Sequence, residues 1–161
     1  MPDRKACDGR GVVLEIDAPV ARVWRVWTDV SAWPGWNSAV RQVTRLDDGE
    51  MGVGARARVR QPQLPATIWE VTEWQPEERW VWVTRQPGTT TTSVHLVEDL
   101  GDGRSRVTSS AEQSGALGGI ARRAFGGVTR TLLERETADL RRRCEGGRGV
   151  APKHAPEGFR H

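Results

Sequence analysis

His95 is the residue in this chain whose chemistry is best suited to moving protons. The pKa of an imidazole lies close to neutrality, so a histidine can act as a general acid or a general base. The other two histidines, His154 and His161, stand near the C-terminus, outside the regular patterns. We take His95 as the candidate catalytic residue, able to move a proton to or from a ligand carbonyl or hydroxyl if it faces a cavity. An ordinary hydrogen-bonded strand histidine, or a surface one, is the alternative.

Tryptophan gives the second chemical signal. The chain of 161 residues has eight tryptophans, two phenylalanines and no tyrosine. An indole is large and apolar and carries one N–H that needs a partner when it is buried. One group of indoles follows helix-like and loop patterns and the other follows strand-like patterns, which predicts an aromatic-lined space between helices and a sheet. The two groups are Trp24, Trp27, Trp33 and Trp36, then Trp69, Trp74, Trp80 and Trp82.

Three indoles are predicted to contact a ligand: Trp36, Trp69 and Trp82. Trp36 follows a Pro-Gly pair and is expected on a loop at the cavity mouth. The amide of the neighbouring Asn37 is a polar group that could orient a ligand there. Ordinary core packing is the alternative for any single one of these tryptophans.

The remaining indoles are assigned to structure, and the two groups are not expected to form one aromatic box. Trp24 and Trp27 recur at helical spacing and should anchor the first helix to the core. Trp74 falls out of phase with Trp69 on the same strand, so it is expected on the outer face of the sheet.

Neither a metal site nor a cofactor is predicted. The sequence has no CxxC or HExxH motif, no Ser or Cys nucleophile with a base beside it, and no obvious pair of carboxylates. Its two cysteines, Cys7 and Cys144, are far apart. We expect two free thiols in a reducing compartment, with a disulfide as the less favoured alternative.

The bulk composition fits a globular cytoplasmic protein of one domain. The net charge is only +3, and the charges are spread through the chain rather than concentrated. This argues against nucleic acid as a partner. No apolar run approaches the roughly 18–20 residues of a membrane span, and no signal peptide is recognisable. We therefore expect no stable membrane insertion, and a monomer or a homodimer.

The elements that must position these residues follow from periodicity. A strand over 11–17 is followed by two short helices, the first starting near Pro19 and the second ended by Pro34-Gly35. A final helix is predicted over 115–144 from apolar residues at i, i+3/i+4 and i+7. Tight turns between the remaining segments indicate an antiparallel meander and an α+β fold of about seven strands. The six further strands are predicted over 40–46, 54–61, 66–74, 80–85, 90–100 and 104–113.

Strand alternation assigns side chains to the concave face of the sheet. Trp80 and Trp82 share one face of their strand. A bulge would shift this assignment by one residue. The other residues assigned to the concave face are Thr67, Trp69 and Val71, then Thr91, Ser93, His95 and Val97, then Val107, Ser109, Ala111 and Gln113.

The element order and several short segments resemble the START-like or SRPBCC superfamily, and within it the bacterial polyketide cyclase/dehydrase-like group. The resemblance rests on APVARVW at 18–24, DVSAWPGW at 29–36, VTE at 71–73 before Pro76, WVW at 80–82, GDG at 101–103 before RVT, and SGAL at 114–117. It implies a helix-grip fold, with a curved antiparallel sheet wrapped around a long C-terminal helix. We assign the domain to 10–145, an N-terminal extension to 1–9, and a disordered tail to 146–161.

The resemblance also implies a function class. Members of the superfamily bind hydrophobic molecules (aromatic, polyketide-like or lipid-like) in an internal cavity, and some catalyse cyclisation or aromatisation. Whether this chain is an enzyme of the cyclase/dehydrase type stays open at this point. The alternative is a non-catalytic interaction protein, similar to START-like chaperone co-factors or ribosome-associated proteins. Only the arginines of the last helix favour that alternative.

Overall fold

Seven antiparallel strands form one curved sheet in the computed structural model, which describes residues 11–146. The spatial order of the strands is β1-β7-β6-β5-β4-β3-β2, so the first strand closes onto the last. The strands are β1 Val12–Ile16, β2 Gln42–Arg45, β3 Arg56–Arg60, β4 Thr67–Gln75, β5 Arg79–Gln86, β6 Thr89–Gly101 and β7 Arg104–Ser114. Helix α1 (Val20–Thr28) and a 3-10 helix (Val30–Gly35) follow β1, and the long helix α2 (Gly118–Gly146) ends the fold.

This architecture confirms the α+β helix-grip prediction and its element order. The end residues differ by up to three positions, because caps and turns rather than periodicity set them. Helix α2, for example, starts at Gly118 rather than at Gly115, whose positive φ of 98° belongs to a turn. Cys7, the predicted extension 1–9 and the predicted tail lie outside the described residues, except that Gly146 is the last residue of α2.

The two halves of α2 differ in burial. The C-terminal half packs against the sheet and α1, and its buried positions include Leu132, Glu136 and Leu140 at i, i+4 spacing. The N-terminal half is largely exposed, including Ile120 and Phe125. Within residues 11–146, no helix is both long and apolar enough to cross a membrane.

A β-bulge in β4 overturns the prediction for Trp74. The register with β5 shifts between Val71 and Glu73, so the alternation reverses after that point. Trp74 therefore turns to the inner face, where its ring lies 5.2 Å from that of Trp24 and 6.0 Å from that of Trp80.

The tryptophans of the two groups pack on one another and form one connected aromatic core. Trp33, on the 3-10 helix, packs edge-on against Trp82 at 5.5 Å and lies 6.2 Å from Trp80. Its indole N–H donates to the Trp27 carbonyl at 3.0 Å, which ties the 3-10 helix to α1. Both short helices are thereby fixed to the middle of the sheet.

The start of α2 is set by a close approach of two glycines. Gly115, at φ 98°, lies so near the β5–β6 turn that a Cβ on it would sit 2.8 Å from the carbonyl oxygen of Gly88. That same oxygen accepts a hydrogen bond from the Leu117 N–H at 2.7 Å. The direction in which α2 leaves the sheet therefore depends on glycine at position 115, where a larger residue would clash with the Gly88 carbonyl.

Gly115→Ala should lower the free energy of unfolding by about 2–4 kcal/mol, because it adds a clash with backbone to the cost of a positive φ. Gly101→Ala is the matched control: its φ is 85°, but nothing lies within 4 Å of an added Cβ. The control should lose only about 1–2 kcal/mol. Urea unfolding of both variants measures this difference, and equal losses would contradict the close approach.

Candidate functional site

A cavity of about 270 Å³ lies between the concave face of the sheet and α2. We call it the inner cavity. Trp33, Trp69 and Trp82 form its aromatic wall, and Leu132 and Leu133 of α2 form the opposite wall. Its remaining lining is mainly small and polar, and includes Thr67, Thr84, Gln86, Thr89, Thr91, Ser93, His95, Ala111, Gln113 and Glu136.

The strand register arranges the sheet side of the inner cavity in rows. At the deep end, His95 of β6 lies opposite Trp80 of β5, and both are fully buried. The next row pairs Trp82 with Ser93. The rows beyond pair Thr84 with Thr91 and then Gln86 with Thr89, and Gln86 is exposed. The floor is therefore aromatic, and hydroxyl and amide groups increase toward the opening.

His95 is held in one orientation at the deep end. Its ring stacks on that of Trp80 with centroids 3.9 Å apart and an angle of 9° between the planes, and Trp27 meets it edge-on at 5.0 Å. Its Nδ1 lies 3.2 Å from the Trp80 carbonyl oxygen. A carbonyl only accepts, so in neutral His95 Nδ1 carries the proton and Nε2 has a free lone pair. Burial lowers the pKa of His95 to about 3, although the bond to the Trp80 carbonyl opposes this shift.

Glu136 of α2 faces His95 across the deep end. Its Oε2 accepts a hydrogen bond of 2.6 Å from the Trp27 indole N–H and lies 3.9 Å from His95 Nε2. Burial raises the pKa of Glu136 to about 7, and the Trp27 hydrogen bond partly offsets this by stabilising the carboxylate. Near neutral pH the carboxyl group therefore exists in both its protonated and its ionised form.

The two groups are complementary in their proton positions. His95 Nε2 can only accept, and the protonated form of Glu136 can donate. Their separation of 3.9 Å is too long for a direct hydrogen bond, so a ligand oxygen or a water can bridge them. This arrangement can hold a hydroxyl, which accepts from Glu136 and donates to His95 Nε2, or a carbonyl oxygen, which accepts from Glu136 alone, and it offers an acid and a base for proton transfer.

Two further polar atoms lie higher on the cavity wall without a hydrogen-bond partner in residues 11–146. These are the indole N–H of Trp69 and the hydroxyl of Thr84, both buried. Continuing the β4–β5 register from Glu70 opposite Val83 places Trp69 directly across from Thr84. A buried polar group left unpaired costs about 1–3 kcal/mol, so a ligand oxygen placed between these two groups would stabilise both of them.

The lining is nearly free of charge. Glu136 and His95 are its ionisable groups, and within the described part of the chain no lysine or arginine lines the inner cavity. Nor do three or more His, Cys, Asp or Glu side chains of residues 11–146 converge on a point that could hold a metal ion. The chemistry available here is hydrogen bonding and proton transfer in an apolar setting.

The structure brings three of the five residues selected from the sequence to the inner cavity: His95, Trp69 and Trp82. Trp36 does not line it; the half-buried Trp36 ring packs on Trp33 with centroids 6.4 Å apart. Asn37 does not line it either, because its side-chain oxygen accepts from the Ala39 N–H at 2.9 Å and closes a local turn.

Sequence reasoning missed Glu136, Thr84 and Trp33. A signal for Glu136 was present: it stands four residues from Leu132 and four from Leu140, in the middle of the apolar stripe of the last helix. An acidic residue at such a position is buried when the helix packs. Thr84 could have been found from its phase with Trp80 and Trp82, since all three share one face of β5.

A family model described as polyketide cyclase/dehydrase and lipid transport matches residues 12–145. No curated protein has a sequence that matches this chain.

Several solved structures share the fold. The Zhui aromatase/cyclase from Streptomyces sp. R1128 is 15% identical over 88% of this chain and 95% of its own, with a TM-score of 0.69. A hypothetical protein from Helicobacter pylori is 16% identical over 89% of this chain and 95% of its own, with a TM-score of 0.71. The di-domain ARO/CYC BexL of the BE-7585A biosynthetic pathway is 17% identical over 86% of this chain and 47% of its own, with a TM-score of 0.65. At these identities the likeness is one of fold.

The raised pKa of Glu136 predicts a pH dependence of stability. The unfolded carboxyl loses its proton near pH 4.5 and the folded one near pH 7, so its contribution is present at low pH and is lost between these values. Relative to Glu136→Gln, the unfolding free energy of the wild type should fall by about 3 kcal/mol from about pH 4 to about pH 8. His95 titrates in both proteins, so the comparison isolates Glu136.

Urea unfolding across this pH range measures the difference. Glu134→Gln, which removes an exposed carboxylate from the same helix, is the control and should run parallel to the wild type. Parallel curves for wild type and Glu136→Gln would contradict the buried, largely neutral carboxyl.

Proposed function

This chain belongs to the polyketide cyclase/dehydrase and lipid transport family, and from that premise we propose that it binds a flat, uncharged, oxygen-bearing hydrophobic molecule in the inner cavity. The observation that carries this proposal is the pairing of His95 with Glu136 at the end of an aromatic pocket. A ligand hydroxyl bridging the two would satisfy both groups at once, because it can accept from Glu136 and donate to His95 Nε2. An aromatic or polyketide-like ring system suits the indole walls.

The electrostatics support an uncharged ligand over a fatty acid or another anion. A buried anion needs a cationic or multiple hydrogen-bonding partner, and within the described residues no lysine or arginine lines this cavity. Glu136 would repel a carboxylate beside it, or would have to take up a proton first. A phenol or a ketone carries no such cost.

The unpaired polar atoms support a second oxygen on the ligand. Trp69 can only donate through its N–H, whereas the Thr84 hydroxyl can donate or accept. A carbonyl or hydroxyl oxygen placed between them would supply the partner that both lack. The proposed ligand therefore has one oxygen at the deep end of the cavity and another on the β4–β5 wall.

Thr84→Val tests the wall contact, with naphthalene-2,6-diol, which carries one oxygen at each end, as the probe. The variant removes a buried, unpaired hydroxyl, so it should raise the free energy of unfolding by about 1 kcal/mol. It should also weaken binding of the diol about fivefold, because the ligand's second oxygen loses a partner. Isothermal titration calorimetry and urea unfolding give the two quantities.

Two controls sharpen this test. Thr72→Val changes an exposed threonine on β4 and should alter neither quantity appreciably. The anion 2-naphthoate should bind the wild type at least about tenfold more weakly than 2-naphthol. A naphthoate that binds as tightly as naphthol would overturn the uncharged-ligand proposal, and a destabilised Thr84→Val with unchanged affinity would assign the hydroxyl to the fold.

A second proposal, enolisation of a bound ketone, is favoured by the lone pair on His95 Nε2 beside a carboxylic acid. Protonated Glu136 gives its proton to the ketone oxygen while His95 takes a proton from the adjacent carbon, leaving a carboxylate, an imidazolium and a neutral enol. His95 alone is a weak base because its pKa is low. The transfer becomes favourable when Glu136 turns into a carboxylate at the same time, because opposite charges 3.9 Å apart stabilise each other in an apolar site. Carbon–carbon bond formation in a cyclase would start from such an enol.

Exchange of the α-protons of 2-tetralone in deuterated water, followed by NMR, tests this second proposal. The wild type should accelerate exchange, and His95→Gln and Glu136→Gln should each reduce that acceleration about a hundredfold. Trp36→Phe lies off the cavity and is the control that should keep the wild-type rate. If His95→Gln exchanges as fast as the wild type while still binding 2-naphthol, His95 has no part in proton transfer.

A further inference from the structure

A second cavity, of about 720 Å³, lies on the other side of Leu132. We call it the outer cleft. It is formed by the loop after the 3-10 helix, the loop between β3 and β4, and the middle of α2. The side chains that define it are Ser38, Arg41, Gln63, Thr131, Leu132 and Arg135.

The outer cleft is cationic, in contrast to the inner cavity. Arg41 and Arg135 come from different elements and both line it. Within residues 11–146 neither guanidinium has a salt bridge to a carboxylate, whereas Arg45, Arg79, Arg104, Arg106, Arg130 and Arg142 all have one. The two positive charges therefore share one concave site without a compensating anion from the described chain.

Asp139, the carboxylate of α2 that contacts the cleft residue Ser38, is already engaged. Asp139 is buried, and its Oδ2 accepts from both the N–H and the hydroxyl of Ser38 at 2.7 Å. Its other oxygen accepts from Arg142. Asp139 thus ties the loop that carries Arg41 to α2, and both of its carboxylate oxygens have partners other than Arg41 and Arg135.

We propose that the outer cleft binds a terminal phosphate group, either as free inorganic phosphate or as the monoester head group of a hydrophobic molecule. A guanidinium is planar and pairs with phosphate oxygens through two parallel hydrogen bonds. Arg41, Arg135 and Thr131 line the same cleft, so their two guanidinium groups and one hydroxyl form a donor set suited to the several oxygens of one phosphate group. A carboxylate has only two oxygens and would leave part of this donor set unused.

Leu132 gives the site its relation to the inner cavity. This one side chain lines both spaces, so a phosphate head group in the outer cleft would stand one side chain away from the apolar cavity. A phosphorylated amphiphile could place its chain past Leu132 into that space. Binding of such an amphiphile rests on the proposed function of the inner cavity, whereas binding of a phosphate group in the outer cleft does not.

Arg41→Gln/Arg135→Gln tests the site, and Arg58→Gln/Arg85→Gln is the matched control. The control removes the same charge from exposed strand arginines that do not line the outer cleft. Isothermal titration with inorganic phosphate and with decyl phosphate, below its micellar concentration, should show binding to the wild type. The double variant should bind each at least about tenfold more weakly, and the control within about twofold of the wild type.

The two probes distinguish the sources of the phosphate. Tighter binding of decyl phosphate than of inorganic phosphate supports a hydrophobic carrier, and equal affinities support free phosphate. Unchanged binding in the Arg41/Arg135 variant, or an equal loss in the control, would overturn the proposal. Titration of 2-naphthol into the same proteins measures binding in the inner cavity separately. A lack of 2-naphthol binding would therefore contradict the proposed function without affecting the result for phosphate.

Discussion

A carboxyl group buried against the wall of an apolar cavity is the constraint on which the rest of this structure depends. An ionised Glu136 with no partner would destabilise the fold by several kcal/mol. Two effects lower this cost. The Trp27 indole N–H stabilises the ionised form of Glu136, and burial raises the pKa of Glu136 so that the protonated form is favoured. Helix α1 must therefore hold Trp27 within hydrogen-bonding distance of α2. The 3-10 helix adds a further tie through the Trp33 N–H.

The architecture could be predicted because it rests on periodicity. Alternation in β6 put His95 on the concave face, and the structure has it there. The same rule failed for Trp74, since one extra residue at the β4 bulge reverses the alternation and nothing in the local sequence marks the bulge. Trp36 and Asn37 were selected from a loop, where side-chain direction depends on tertiary packing rather than on a repeat.

Only part of the site could be predicted from the sequence, because the pairing of its residues also depends on tertiary packing. His95 could be selected from its chemistry alone, but its partner comes from a helix more than forty residues later in the chain. A pairing of that kind depends on where α2 crosses the sheet, and the contact of Gly115 with the Gly88 carbonyl sets that crossing. Unpaired groups such as the Thr84 hydroxyl cannot be recognised from sequence at all, because being unpaired is a property of the packed state.

The most direct measurement of the central claim is the infrared absorption of the Glu136 carboxyl, isolated by subtracting the spectrum of Glu136→Gln. A buried, ligand-facing acid predicts a protonated-carboxyl band at about pH 6 that disappears with a midpoint near pH 7 and shifts when 2-naphthol is bound. No such band at about pH 6, or a band that 2-naphthol leaves unmoved, would contradict the claim that a largely neutral Glu136 meets the ligand beside His95.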